Sequence, residues 1–171
     1  MKHLAGSASA ELTIRKSRFI ALLYPAADVR QAKQQLAQVR RDHPGASHYC
    51  TALICPEAVR SSDDGEPAGT AGRPMLETLK QAAVEDVFAV VVRYFGGTLL
   101  GAANLARAYR DTLQLALQDA SFTIPTKMTR YAITVGYPES GKLEGWLADH
   151  TRLEQREYGE QVRYTVLSAV P

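Results

Sequence analysis

Val87-Phe88-Ala89-Val90-Val91-Val92-Arg93-Tyr94-Phe95-Gly96-Gly97 decides the fold of this chain. Its first six residues form an unbroken apolar run, too short for a packed helix and rich in β-branched side chains. Asp86 to Phe95 is therefore expected as a strand apolar on both faces, which places it centrally in a sheet. Gly96-Gly97 ends that strand. Gly101 opens a long helix to about Ala120, with Leu105, Tyr109, Leu113, Ala116 and Ala120 as its inward stripe.

A buried strand, a glycine turn and a helix N-terminus together can present backbone N–H groups to a phosphate. The turn is neither a Walker loop nor the dinucleotide fingerprint, because the glycine spacing differs and no Gly-Lys-Ser/Thr follows. Arg93, Arg107 and Arg110 flank it, and Tyr94 or Phe95 offers a stacking platform for a base. Equally, the glycines merely turn the chain and the aromatics sit in the core.

Upstream, Glu11–Ile14 and Arg18–Tyr24 read as strands, the second closed by Pro25. Asp28 caps a helix whose residues Val29, Ala32, Leu36 and Val39 share one face, and His43-Pro44-Gly45 stops it. His48–Cys55 is the next strand, ended by Pro56. The stretch Ser61 to Pro74 then holds three glycines, two prolines and three acids with almost nothing to bury, so it is a loop. A helix runs from Pro74 to about Ala83 with Leu76, Leu79 and Ala83 inward.

That loop invites chemistry. Gly65, Gly69 and Gly72 permit backbone shapes closed to other residues, Pro67 and Pro74 stiffen the path, and Arg73 stands at a helix entrance, which suits an anion. Asp63, Asp64 and Glu66 are oxygen donors for a hard cation, although adjacent loop carboxylates are more often only solvated. His48 and Cys50 share strand parity and suit a transition-metal or thiol site, or simply a hydrogen-bonded imidazole beside a buried thiol. No metal, cofactor or catalytic residue is assigned.

Composition bounds the rest. The chain has 171 residues, 46% hydrophobic and 22% charged, with a formal charge of +2, which is ordinary globular composition. Bulk charge does not mark a strongly basic nucleic-acid module. No apolar run exceeds six residues, against about 18 for a membrane span. Cys50 and Cys55 differ in strand parity and are read as reduced thiols. The first ten residues lack the apolar core of a secretory signal, so a cytoplasmic location is expected.

Pro125 marks a boundary between an expected domain at 1–125 and another at 126–171. Beyond it, Met128–Tyr137 alternates as a strand, Ser140–His150 reads as a helix, and Leu153–Tyr158 with Gln161–Ala169 form a hairpin about Gly159-Glu160. This βαββ tail holds six basic and six acidic residues, including Lys127, so the net charge belongs to the first domain.

Three segments resemble the IMPACT (YigZ-type) family. They are Ser62-Asp63-Asp64-Gly65-Glu66-Pro67 with Gly69-Thr70-Ala71-Gly72-Arg73-Pro74-Met75-Leu76, then Val90-Val91-Val92-Arg93-Tyr94-Phe95-Gly96-Gly97 with Leu100-Gly101-Ala102 and Arg107-Ala108-Tyr109, and the His48-Tyr49-Cys50-Thr51-Ala52 strand. The resemblance covers about residues 7 to 120. It implies an α+β fold: an N-terminal domain like domain two of ribosomal protein small-subunit five, and a partial ferredoxin-like unit similar to the late domains of elongation factor G. It also implies a link to regulation of translation, the role of eukaryotic relatives that carry a further partner-binding domain. Ala103-Asn104 stands where the family has two glycines, which leaves the helix N-terminus less open to close backbone approach.

The expected function is thus a noncatalytic RNA- or ribosome-associated module. Its surface would comprise Asp63, Asp64, Gly65, Glu66, Gly69, Thr70, Gly72 and Arg73 from the loop. From the turn it would take Arg93, Tyr94, Phe95, Gly96, Gly97, Gly101, Asn104 and Arg107, with Arg110 beside them, in one groove. One alternative is a phosphate- or nucleotide-dependent enzyme on a small molecule, using the Asp63–Pro74 loop and the Gly96–Gly101 turn, with Asp63 or Asp64 as base. Another is a protein-binding regulator. A ferredoxin-like domain needs a helix and strand beyond the βαββ that ends at Pro171, so an uncovered apolar sheet face and self-association through residues 128–169 are expected.

Overall fold

The computed structural model describes residues 1–126 and 128–169. Lys127 and Pro171, which enter the charge count and the end of the tail above, lie outside them. The chain divides into two compact units, Met1–Pro125 and Thr126–Pro171, each mixing helices and strands, so the fold is α+β.

The first unit runs β1 (Lys2–Leu4), β2 (Ala8–Ile14), β3 (Ser17–Pro25), α1 (Val29–Asp42), β4 (His48–Cys55), β5 (Ala58–Ser62), α2 (Gly72–Gln81), β6 (Val84–Glu85), β7 (Val87–Tyr94), α3 (Ala102–Asp119) and β8 (Phe122–Thr123). The apolar run is β7, the middle strand of a five-stranded antiparallel sheet ordered β2-β3-β7-β4-β5. Its residues alternate between two cores. Val87, Ala89 and Val91 face α2 and α3 with Phe19, Leu23, Met75, Leu79, Tyr109 and Leu113. Phe88, Val90 and Val92 face the α1 side with Ile20, Ala32, Val39 and Leu53. Cys50 and Cys55 divide between the same two cores, and both thiols are free.

Asp28 caps α1 through its side chain, accepting the Gln31 N–H at 2.7 Å. α2 begins two residues earlier than Pro74 suggests, because a carboxylate from the preceding loop caps it from a distance: Asp63 Oδ1 accepts the N–H groups of Ala71 and Gly72. Strand β5 was not expected. It pairs with the outer side of β4 as an exposed edge strand, so the loop starts after Ser62 rather than at Ser61. A second, three-stranded sheet places β1 between β6, in parallel, and β8, antiparallel.

The second unit comprises β9 (Thr129–Val135), α4 (Tyr137–His150), β10 (Arg152–Tyr158) and β11 (Val162–Ser168), with strands ordered β10-β11-β9 and paired antiparallel. Leu143 and Leu147 of α4 pack on Tyr131, Ile133, Val135, Val162, Tyr164 and Val166. The expected uncovered apolar face is corrected by this register. The residues of opposite parity are mainly polar, among them Arg130, Thr134, Gln155, Glu157, Arg163 and Thr165. What stays open and apolar is a groove of about 310 Å³ lined by Tyr131, Ile133, Val166 and Trp146 among others. Among the described residues, no helix is long and apolar enough to cross a membrane.

Candidate functional site

The two glycine-rich segments meet at one end of the central sheet, joined by a buried charge pair. Arg93 ends the row Val87, Ala89, Val91 on β7, so its side chain enters the α2–α3 core. There its Nη1 donates to Glu66 Oε1 at 2.7 Å, with the two side chains only 6% and 3% exposed. Tyr109 of α3 donates its hydroxyl to the same oxygen at 2.7 Å, and His48 Nε2 stands 3.7 Å from Oε2. Arg93 Nη2 also donates to Ser17 Oγ, which accepts the Gly96 N–H. One carboxylate thus ties the loop to β7, α3 and β4, and Ser17 ties β3 to the glycine turn.

The other loop acids are equally committed. Asp63 accepts three backbone N–H bonds, from Gly69 at 2.8 Å, Ala71 at 3.0 Å and Gly72 at 2.8 Å. Burial alone would raise its carboxyl, but these bonds outweigh burial and hold it below the usual aspartate range. Asp64, in the left-handed region at φ 42°, accepts the Tyr49 N–H at 2.7 Å and pairs with Arg40 at 3.1 Å. Its carbonyl accepts from His48 Nδ1 at 2.8 Å. Tyr49 lies where β4 extends past β5, so the Asp64 side chain takes over the ladder bond that β5 leaves unmade.

Cys50 points into the same cluster, its sulfur 3.0 Å from the Asp63 carbonyl and 3.3 Å from the Tyr109 hydroxyl. Burial pushes the thiol up to about 12, so it is no nucleophile near neutral pH. Burial likewise raises Tyr109 far above the ordinary phenol, with Cys50 and Glu66 adding to the effect. Among the described residues, no group of three His, Cys, Asp or Glu side chains is arranged to hold a metal ion.

The expected binding residues therefore separate. Glu66, Thr70, Gly72 and Arg93 are buried, and Asp63, Asp64, Tyr94 and Gly96 are half-buried. Gly65, Gly69, Arg73, Phe95, Gly97, Gly101, Asn104 and Arg107 are exposed. Arg93 is corrected from a surface cation to a neutralised core residue, because strand parity turns it inward toward Glu66. Arg110 is paired with Asp111 at 3.2 Å. Tyr94 faces the α1 side, 3.3 Å from His43 Nδ1, which leaves Phe95 as the outward ring. Asn104 donates to the Leu100 carbonyl across the first turn of α3. Asp63 and Asp64, the bases of the enzyme alternative, are both hydrogen-bonded within the fold. Ser17, Ser47 and Arg40 escaped the sequence reading; Ser47 Oγ accepts the Phe95 N–H at 3.0 Å.

The family model of the Impact N-terminal domain matches residues 15–117. IMPACT family member YigZ of Escherichia coli (strain K12) is 40% identical over 139 residues, covering 78% of this chain and 68% of that protein. IMPACT family member YvyE of Bacillus subtilis (strain 168) is 36% identical over 158 residues, covering 90% of this chain and 73% of that protein. A crystal structure described as that of a hypothetical protein superposes with a TM-score of 0.72 at 35% identity, covering 98% of this chain and 84% of its own. Matching over the very segments that the Arg93–Glu66 pair joins, and over most of the chain besides, this protein belongs to the IMPACT family.

Proposed function

We propose that this chain is a noncatalytic, cytoplasmic, RNA- or ribosome-associated module linked to regulation of translation. The observation that carries the reading is the commitment of the loop's reactive groups to internal bonds. Asp63, Asp64, Glu66 and the Cys50 thiol all hold the fold together, while the turn offers solvent the Phe95 ring, backbone at Gly97 and Gly101, and the Arg107 cation. An exposed ring and exposed cations are chemistry that suits nucleic acid. Family membership supports the translation setting that the sequence resemblance implies.

The test is binding of the purified chain to tRNA and to a mixed-sequence single-stranded RNA at two salt concentrations, with an Arg73→Ala/Arg107→Ala variant alongside. Binding that weakens steeply with salt, and further in the variant, is expected. No binding at low salt overturns the reading in favour of a protein partner or a small phosphorylated ligand. Self-association through residues 128–169 belongs to the same proposal, supported by the apolar groove beside α4. A concentration-independent monomer in sedimentation rules it out.

A further inference from the structure

We infer that the two-residue turn Arg15-Lys16 is the phosphate-contacting half of a single-stranded RNA surface whose stacking half is Phe95. This inference rests on the RNA reading above and adds Arg15 and Lys16 to the Phe95 that reading contains. The last pair of the β2–β3 hairpin is Ile14 with Ser17, so Arg15 and Lys16 alone make the turn. Both adopt the left-handed conformation, at φ 46° and 68°. A hairpin turn of that shape favours Asn-Gly, since glycine has no Cβ to strain and asparagine tolerates the region. Two long cations therefore occupy positions for which the backbone selects other residues, and strain of this kind concentrates at functional positions.

Neither cation is used inside the fold. Both are exposed, and neither has an ion-pair partner among the described residues, although the neighbouring Arg18 is clamped by Glu11 at 2.6 Å. The turn is also fixed against the glycine turn, backbone to backbone: a Cβ on Gly96 would lie 2.1 Å from the Lys16 carbonyl carbon. Gly96 is bonded to Ser17 and Phe95 to Ser47, so the two turns share one rigid frame. On that frame the Phe95 ring is 46% exposed, with the Arg93 guanidinium 5.4 Å from its centroid.

Two unpaired cations beside a backbone-pinned, outward aromatic ring match the alternation of phosphate and base along a single strand. An acidic protein segment would use the cations but has no base to lay on the ring.

The test uses the full chain and a labelled mixed-sequence single-stranded RNA, read by anisotropy across a salt series. Arg15→Asn/Lys16→Gly places turn-favouring residues in the hairpin, so its thermal midpoint is expected at or above that of the parent. Its affinity at low salt should nevertheless fall about tenfold, and the log–log salt slope should drop by about 1.4, for two lost phosphate contacts. Phe95→Ala should lose about fivefold or more with the slope unchanged. A control of equal charge loss on the exposed side of α1, Arg30→Asn/Lys33→Gln, should stay within about twofold of the parent.

Parent binding with the turn variant unchanged overturns this inference and leaves the RNA reading standing. No binding by the parent at low salt overturns both. If the turn variant loses a poly-glutamate probe as strongly as RNA while Phe95→Ala loses neither, the surface belongs to acidic protein and the RNA assignment falls.

Discussion

Arg93 and Glu66 lie 2.7 Å apart with both side chains withdrawn from solvent, and this pair joins the loop after β5 to the strand that ends at the glycine turn. Both glycine-rich segments thus depend on a contact between residues 27 positions apart. Removing either partner leaves a buried, uncompensated charge.

Glu66→Ala or Arg93→Ala alone should therefore cost about 3–5 kcal/mol in denaturant unfolding. Arg93→Met/Glu66→Leu should lose clearly less than the sum of the single losses, since it removes both charges together. Additive losses would show that the pair does not couple the two segments.

The glycines of the turn should separate by mechanism. A Cβ at Gly96 meets the Lys16 and Ser17 backbone within 2.4 Å, whereas one at Gly97 meets nothing, although φ there is +86°. Gly97→Ala is expected to cost about 1–2 kcal/mol from the left-handed conformation alone. Gly96→Ala should cost more, because a backbone segment must move. Thermal unfolding of the two variants checks the order.

The depressed Asp63 carboxyl fixes the sign of a pH effect. Its folded value lies below the unfolded one, so its stabilisation is full above the unfolded value and is lost as pH falls through the folded one. Asp63→Asn should lower stability at neutral pH, and the gap from the parent should close toward strong acid. Unfolding free energies measured from pH 7 downward give the test; a gap that widens in acid contradicts the assignment.

Cys50 should resist thiol reagents in the native state. With its thiol pushed up to about 12 by burial, little thiolate forms even in mild alkali, and that sulfur is buried. Alkylation followed by mass mapping should label Cys50 only after denaturation. Native labelling at the reference cysteine rate would refute the buried arrangement.

Much of the fold was legible because the apolar pattern is local. Val87 to Val92 announces a central strand, Asp28 announces its helix, and His48–Cys55 is bounded by its own turn residues. Ala58–Ser62 gave no such sign: an exposed edge strand has no buried face and so no alternation. The two- and three-residue strands β1, β6 and β8 are defined only by distant partners. At the site, parity already placed Arg93 in the inward row of Val87, Ala89 and Val91, a signal the cation's charge obscured. Glu66 was not separable from Asp63 and Asp64 by sequence, since only the arriving Arg93 and Tyr109 distinguish it. Ser17 carries no pattern at all.

The small sheet built on β1 has a consequence for synthesis. Lys2–Leu4 pairs with Val84–Glu85 on one side and Phe122–Thr123 on the other, and Leu4 is buried there. Residues 2–4 cannot hold both partners until nearly the whole first unit has been synthesised. Closure of this clasp is then among the last events of folding, governed by the largest sequence separations in the unit. Shortening the chain by its first four residues would leave the nascent sheet able to assemble but with its final latch missing.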